Sequence, residues 1–201
     1  MYRIGLTGGV GCGKSTVSSY LKELGIPVID GDKLAREAVM PGSEAMKKIR
    51  EAFGDAVFTE EGMLDRQKMA DLVFTDEEKR QTLNAIIHPF IWHRTQEELW
   101  KAQEKGAELA VLDMPLLLEI GWYLRSESVW VVYVPLEMQI QRVMNRDGFT
   151  REQVLDRIGK QMLTENKLNY ADVIIDNSGS IEETRAQVDR ALEKIRSINK
   201  Q

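Results

Sequence analysis

Residues 8–15 read Gly8-Gly9-Val10-Gly11-Cys12-Gly13-Lys14-Ser15, a run that fits G-x4-G-K-[ST]. The chemistry of such a run is the grip of a polyphosphate. Its glycines let successive backbone N–H groups turn toward one anion, and a helix starting at its end adds partial positive charge there. Lys14 can reach β- and γ-phosphates and the Ser15 hydroxyl can ligate Mg2+, while Thr16 either touches the α-phosphate or only starts the helix. Cys12 supplies an N–H, and a thiol at a helix N-terminus has the position for raised thiolate character. Ordinary residue frequencies give this pattern by chance in on the order of 1% of chains this long, so a merely structural glycine turn is the weaker reading.

Other groups could finish the chemistry. Asp30-Gly31-Asp32 follows an apolar run, and Asp32 is the better placed to orient an acceptor hydroxyl toward a γ-phosphorus; its bland alternative is to cap a helix from Lys33 to Val39. Arg142 and Arg146 stand four apart, on one helical face, where arginines can spread donors over phosphate oxygens. Arg151 and Arg157 follow in the next helix, where a solvated face is the simpler reading, and Gln161 belongs to the same closing segment. Asp113 ends a strand and is a candidate for a water-mediated Mg2+ role.

The elements that must position these groups show in the apolar pattern. Tyr2–Leu6 reads as a strand, Ser15–Leu24 as a helix stopped by Gly25, and Ile26–Asp30 as a second strand: a βαβ unit around the glycine run. Leu109–Asp113, Val129–Val134 and Asp172–Asp176 are three more strands. All five are continuous apolar runs, which predicts a parallel sheet covered on both faces. Between the second and third strands, about Asp32 to Glu108, the signals are mostly helical, with Gly54, Gly62 and His88-Pro89 as punctuation. Thr75–Glu78, Thr150–Gln153 and Ser180–Glu183 each have the form of a capping box ahead of a helix.

Three classes of phosphate-loop protein compete. A GTP switch is excluded by its missing guanine motif: Asn166-Lys167-Leu168-Asn169 lacks the closing aspartate, and Asp176-Asn177-Ser178-Gly179 falls in the wrong order. A mechanochemical ATPase ends its third strand in an acidic pair, whereas this chain has Asp113-Met114-Pro115. A small-molecule kinase needs an acceptor-orienting carboxylate and cations that close over the phosphates, and both are available. A nucleoside or nucleoside monophosphate kinase and an ATP-binding regulatory module without an acceptor remain as alternatives.

Bulk properties agree. The 201 residues suit one core domain with an insertion, and 43% hydrophobic with 29% charged residues is a globular composition. The net charge, 27 minus 32 or -5, gives no bulk attraction to nucleic acid or anionic lipid. One cysteine, no apolar run long enough for a signal peptide and none of about 18 residues point to the cytoplasm.

Taken together, several stretches resemble the dephospho-coenzyme A kinase family across nearly the whole chain. They are Leu6–Thr16, Val28–Asp32 with Ala35-Arg36, Phe53-Gly54, Leu64–Arg66, His88-Pro89, Pro115–Glu119, Gln139 with Arg142 and Arg146, Gln161, Ala171-Asp172 and Asn177–Gly179. The resemblance implies ATP-dependent phosphorylation of the 3'-hydroxyl of dephospho-coenzyme A, the last step of coenzyme A synthesis, with ATP and Mg2+. It implies an α/β three-layer P-loop fold with a five-stranded parallel sheet ordered 2-3-1-4-5. The core would comprise residues 1–31, 109–141 and 168–201, with a helical acceptor-binding insert 32–108 and a lid 142–167. Asp32 would be the catalytic carboxylate beside Lys14 and Arg142, with Arg36 and His88 near the acceptor and the Asn177 stretch bordering adenine. His88 before proline could equally satisfy a buried turn; Arg94, a helical turn or so beyond it, is a candidate for an acceptor phosphate, and His93 reads as surface. Two departures from the family wording are Cys12 for the commoner serine and Gly31 for the commoner alanine. The expected partners are small molecules, with no nucleic acid or membrane, in a monomer or weak homo-oligomer.

Overall fold

The computed structural model describes residues 1–198. In chain order the elements are β1 (Tyr2–Gly8), α1 (Lys14–Glu23), β2 (Val28–Asp30), α2 (Gly31–Ala38), α3 (Glu44–Phe53), α4 (Arg66–Thr75), α5 (Glu77–Glu104), β3 (Leu109–Asp113), β4 (Ser128–Tyr133), α6 (Leu136–Asp147), α7 (Arg151–Gly159), α8 (Thr164–Lys167), β5 (Val173–Asp176) and α9 (Ile181–Ile198). They form two compact units, one of Met1–Ile29 with the chain from Ala102 onward and the other of Asp30–Lys101.

The five strands make one sheet in the order β2-β3-β1-β4-β5, with β1 parallel to both β3 and β4, and β4 parallel to β5. Register carries the chemistry: Leu6 pairs with Asp113, so the carboxylate at the end of β3 stands beside the strand that feeds the glycine run. Side chains alternate across each strand. On one face Ile4, Leu6, Val111, Trp130, Val132 and Ile175 pack against Val17 and Leu21 of α1 and Val188 and Leu192 of α9. On the other, a Cβ at Gly5 would meet Leu117 and Ser126 of the segment after β3.

The expectation of two covered faces holds for β1, β3 and β4 and fails for β5, where Ile174 is 50% exposed. An edge strand has a neighbour on one side only, and which run becomes the edge is set by the strand order. Local boundaries also differ from expectation. The strand over Ile26–Asp30 shortens to Val28–Asp30, because Pro27 lies outside it. Helix α1 begins at Lys14, capped by Gly13 in a left-handed conformation.

The second unit is helical. Met46, Ile49, Val57, Phe58 and Met69 form its core, with Leu83, Ile86 and Ile87 of α5 packed on it. Ser43 and Asp65 cap α3 and α4 through Met46 N and Lys68 N, at 3.1 and 3.0 Å. The capping box expected at Thr75 is displaced: Thr75 ends α4, and Asp76 accepts from Lys79 N at 3.1 Å. His88-Pro89, expected as punctuation, lies inside the 28-residue α5. One missing N–H can be borne by a helix held by tertiary packing, here through Leu83, Ile86 and Ile87 in the turns before Pro89. The boxes at Thr150 and Ser180 are formed as expected.

Candidate active site

The loop from Gly8 to Ser15 is compressed from several directions, which is why its sequence is glycine-rich. A Cβ at Gly9 would run into Thr164 Oγ1 and lie 3.0 Å from Gln139 Oε1. Gly13 has φ 80°, and a Cβ there would strike the Asn177 amide. Gly8 and Gly11 press on the Val132 and Gln139 carbonyls. Gly13→Ala is therefore expected to destabilise the fold by about 1–2 kcal/mol for the left-handed backbone alone, and further for the collision, and so to lower the thermal midpoint. A melting curve superimposed on wild type would show that this geometry is not required.

No side chain caps α1, and its first turn holds no acidic residue. The partial charge of that helix end is thus left for an anion. Lys14 ion-pairs with Asp113, whose carboxylate is 5% exposed. Gly13, Ser15, Thr16, Arg142, Arg146 and Asn177 line one surface groove that also takes in Gly179. Asn177 braces the loop: its Nδ2 donates to the Cys12 carbonyl at 2.8 Å, its Oδ1 accepts from Thr184 at 2.9 Å, and its carbonyl accepts from Arg142 at 2.9 Å. With its amide so engaged, main chain and the neighbouring Gly179 are what it offers to the groove. Cys12 is fully buried, and burial pushes its thiol pKa up despite the nearby Thr164 hydroxyl.

Helices α6 and α7 share a small core of Ile140, Val143, Val154 and Ile158. Arg146 is bidentate with its neighbour Asp147 at 2.7 and 2.8 Å. Arg151 pairs with Glu137 at 2.6 and 2.8 Å, which holds that carboxyl below its usual range, and Arg157 lies over the Phe149 ring at 4.1 Å. Gln161 follows α7, and its Oε1 is buried without a hydrogen-bond partner.

In the second unit Asp30, not Asp32, caps α2, accepting from Lys33 N at 2.9 Å. Asp32 stands in the first turn of that helix and Arg36 in its last. His88 is partly buried on α5, which lowers its pKa. Arg94 is six positions further along, on a different face at about 3.6 residues per turn, and pairs with Glu97 and, at 3.7 Å, with Glu37 of α2. His93 is exposed beside Glu97, at 3.3 Å.

Sequence reasoning missed one buried polar system behind the loop. Lys167, with no exposed side chain, donates to the Pro115 carbonyl at 2.9 Å and to Glu119 at 2.8 Å. Gln139 and Thr164, 1% and 2% exposed, bond to each other at 3.3 Å. Nothing in the polar run Thr164-Glu165-Asn166-Lys167 signals burial; only a lysine placed against the end of the sheet does.

A family model described as dephospho-CoA kinase matches residues 2–183. The chain belongs to that family. It is 46% identical to the dephospho-CoA kinase of Carboxydothermus hydrogenoformans over 95% of this chain and 93% of that one. Against the one from Oryza sativa subsp. japonica it is 43% identical over 97% and 85%. Among solved structures, TT1252 from Thermus thermophilus superposes with a TM-score of 0.84 at 38% identity over 98% and 96% of the two chains. Dephospho-CoA kinase from Campylobacter jejuni superposes at 0.70 and 27% over 98% of each. A shikimate kinase from Bacteroides thetaiotaomicron, at 0.51 and 15% over 97% and 98%, shares the fold alone. The protein is thus a phosphate-loop kinase, a transferase that uses ATP. No helix among the described residues is long and apolar enough to cross a membrane.

Proposed function

We propose that the protein transfers the γ-phosphoryl group of ATP to the ribose 3'-hydroxyl of dephospho-coenzyme A, giving coenzyme A and ADP. The observation that carries this reading is the family match over residues 2–183, which takes in the phosphate loop and most of both compact units. The loop amides and the uncapped start of α1 receive the phosphates, and Lys14, now paired with Asp113, supplies the cation for the β- and γ-oxygens. Asp32 accepts the proton of the 3'-hydroxyl as its oxygen bonds to the γ-phosphorus and the bond to the β-phosphate oxygen breaks, releasing ADP. Arg142 and Arg146 offset charge on the transferring group, and segment 142–167 closes over it from its fixed stem at 161–167. Thr16, Asn177 and the groove beside them take the nucleoside portion of ATP. Arg36, His88 and Gln161 are assigned to the acceptor, and Arg94, on another face of α5, to an acceptor phosphate.

The donors present suit Mg2+, which keeps several waters and phosphate oxygens around one or two protein ligands. Ser15 supplies a hydroxyl and Asp113 a buried carboxylate, the latter through water. Bound there, the ion would neutralise charge shared by the β- and γ-phosphates. We place the protein in the cytoplasm as a monomer or weak homo-oligomer.

The test is a panel. The protein is incubated with MgATP and dephospho-coenzyme A, nucleosides or nucleoside monophosphates, and ADP release and acceptor mass are followed. Addition of one phosphate to dephospho-coenzyme A is the expected result. Turnover confined to a monophosphate, or nucleotide binding without any acceptor turning over, overturns it.

A further inference from the structure

Residues 161–167, which join α7 to the start of the last core segment, are tied down by polar contacts around the fully buried Lys167 that the reaction above does not use. One carboxylate oxygen, Glu119 Oε1, accepts from both Lys167 Nζ at 2.8 Å and the Met162 backbone N–H at 3.0 Å. The same ammonium donates to the Pro115 carbonyl at 2.9 Å, which also receives the Thr7 hydroxyl at 3.0 Å. Pro115 is two residues beyond Asp113, and Thr7 is the penultimate residue of β1. Thr164, in between, bonds to Gln139, whose Nε2 donates to the Val134 carbonyl at 3.1 Å. Gln161, immediately before Met162, has its buried amide oxygen without a partner.

Burying a lysine is a poor way to gain stability. Desolvation offsets most of the attraction, and well-packed apolar side chains often serve as well or better. A pair with these bonds does supply geometry. It joins, through two side chains, the strand ends that carry Asp113 and the glycine run to the stem of the arginine-bearing segment. We propose that Lys167 and Glu119 are positioning residues for phosphoryl transfer: the pair holds Gln161 and the α7 stem in register with Lys14 and Asp113. Neither touches substrate. This inference rests on the kinase reading above.

The test compares wild type with Lys167→Met, Glu119→Gln and the double variant, measuring kcat, the KM values, ATP affinity and the thermal midpoint. Each single change should lower kcat by roughly 10²-fold, the effect expected of a displacement of about 1 Å, with ATP affinity changed by no more than about threefold, since uniform binding is untouched. Both should also lower the midpoint, Glu119→Gln the more, because it leaves the fully buried Lys167 ammonium without its carboxylate. The double variant removes both charges and should regain the midpoint without regaining kcat. A double variant that recovers both, or single variants whose rate falls only in proportion to the folded fraction, overturns the proposal. If either single variant does not fold, the other and the double variant still decide it. A wild-type protein inert toward dephospho-coenzyme A but active on another acceptor of the panel would fault the acceptor assignment alone, and the variants are then compared on that acceptor.

Discussion

Asp32→Asn is expected to lower phosphoryl transfer by roughly 10²- to 10⁴-fold, the usual worth of a positioned general base, while ATP affinity stays within a few-fold. The substitution is a clean one because the cap of α2 is Asp30, which keeps its bond to Lys33 N. Asparagine preserves the volume of Asp32 and removes its charge and its capacity to take a proton. The lost carboxylate at the first turn of α2 costs about 0.3–1 kcal/mol through the helix dipole, too little to unfold the protein. Steady-state rates with dephospho-coenzyme A, together with ATP binding and a melting curve, give the comparison. Turnover equal to wild type would remove Asp32 from the mechanism.

Lys14→Ala should weaken both binding and chemistry, lowering kcat/KM for ATP by roughly 10²- to 10³-fold, as loss of one strong oxyanion-stabilising donor does. Lys14 is the cation of the glycine run, and no other residue between Gly8 and Thr16 carries a positive charge. The change has a second consequence. Asp113, 5% exposed, loses its ion-pair partner, and breaking a buried pair from one side typically costs about 3–5 kcal/mol. Pairing Lys14→Ala with Asp113→Asn should therefore return much of the thermal midpoint and none of the rate. Wild-type kinetics for Lys14→Ala would exclude this lysine from the site, and an unchanged midpoint would show the pair with Asp113 to be immaterial.

Much of this was legible in one dimension. The glycine run lay between a strand and a helix, and local backbone chemistry is enough to make it a phosphate loop. The five apolar runs are the five strands, and in β1, β3 and β4 burial on two faces accounts for the missing alternation. The arginines at 142 and 146 share α6 as their spacing required. Where the reading went astray, a neighbour distant in sequence intervened. Docking of α5 carried the helix through Pro89, and edge position exposed Ile174. Deep burial, which the local sequence does not show, raises the thiol pKa of Cys12.

What the order of residues determined alone is the anion cradle and the elements that flank it, because both rest on main-chain geometry and on patterns a few residues long. The third dimension decided which charged groups are spoken for. Asp113 holds Lys14, Glu137 holds Arg151, and Glu119 holds a lysine that its own stretch of sequence marks as solvated. Ion pairs between elements depend on strand register and helix docking, which emerge only when the whole chain has buried its apolar surface.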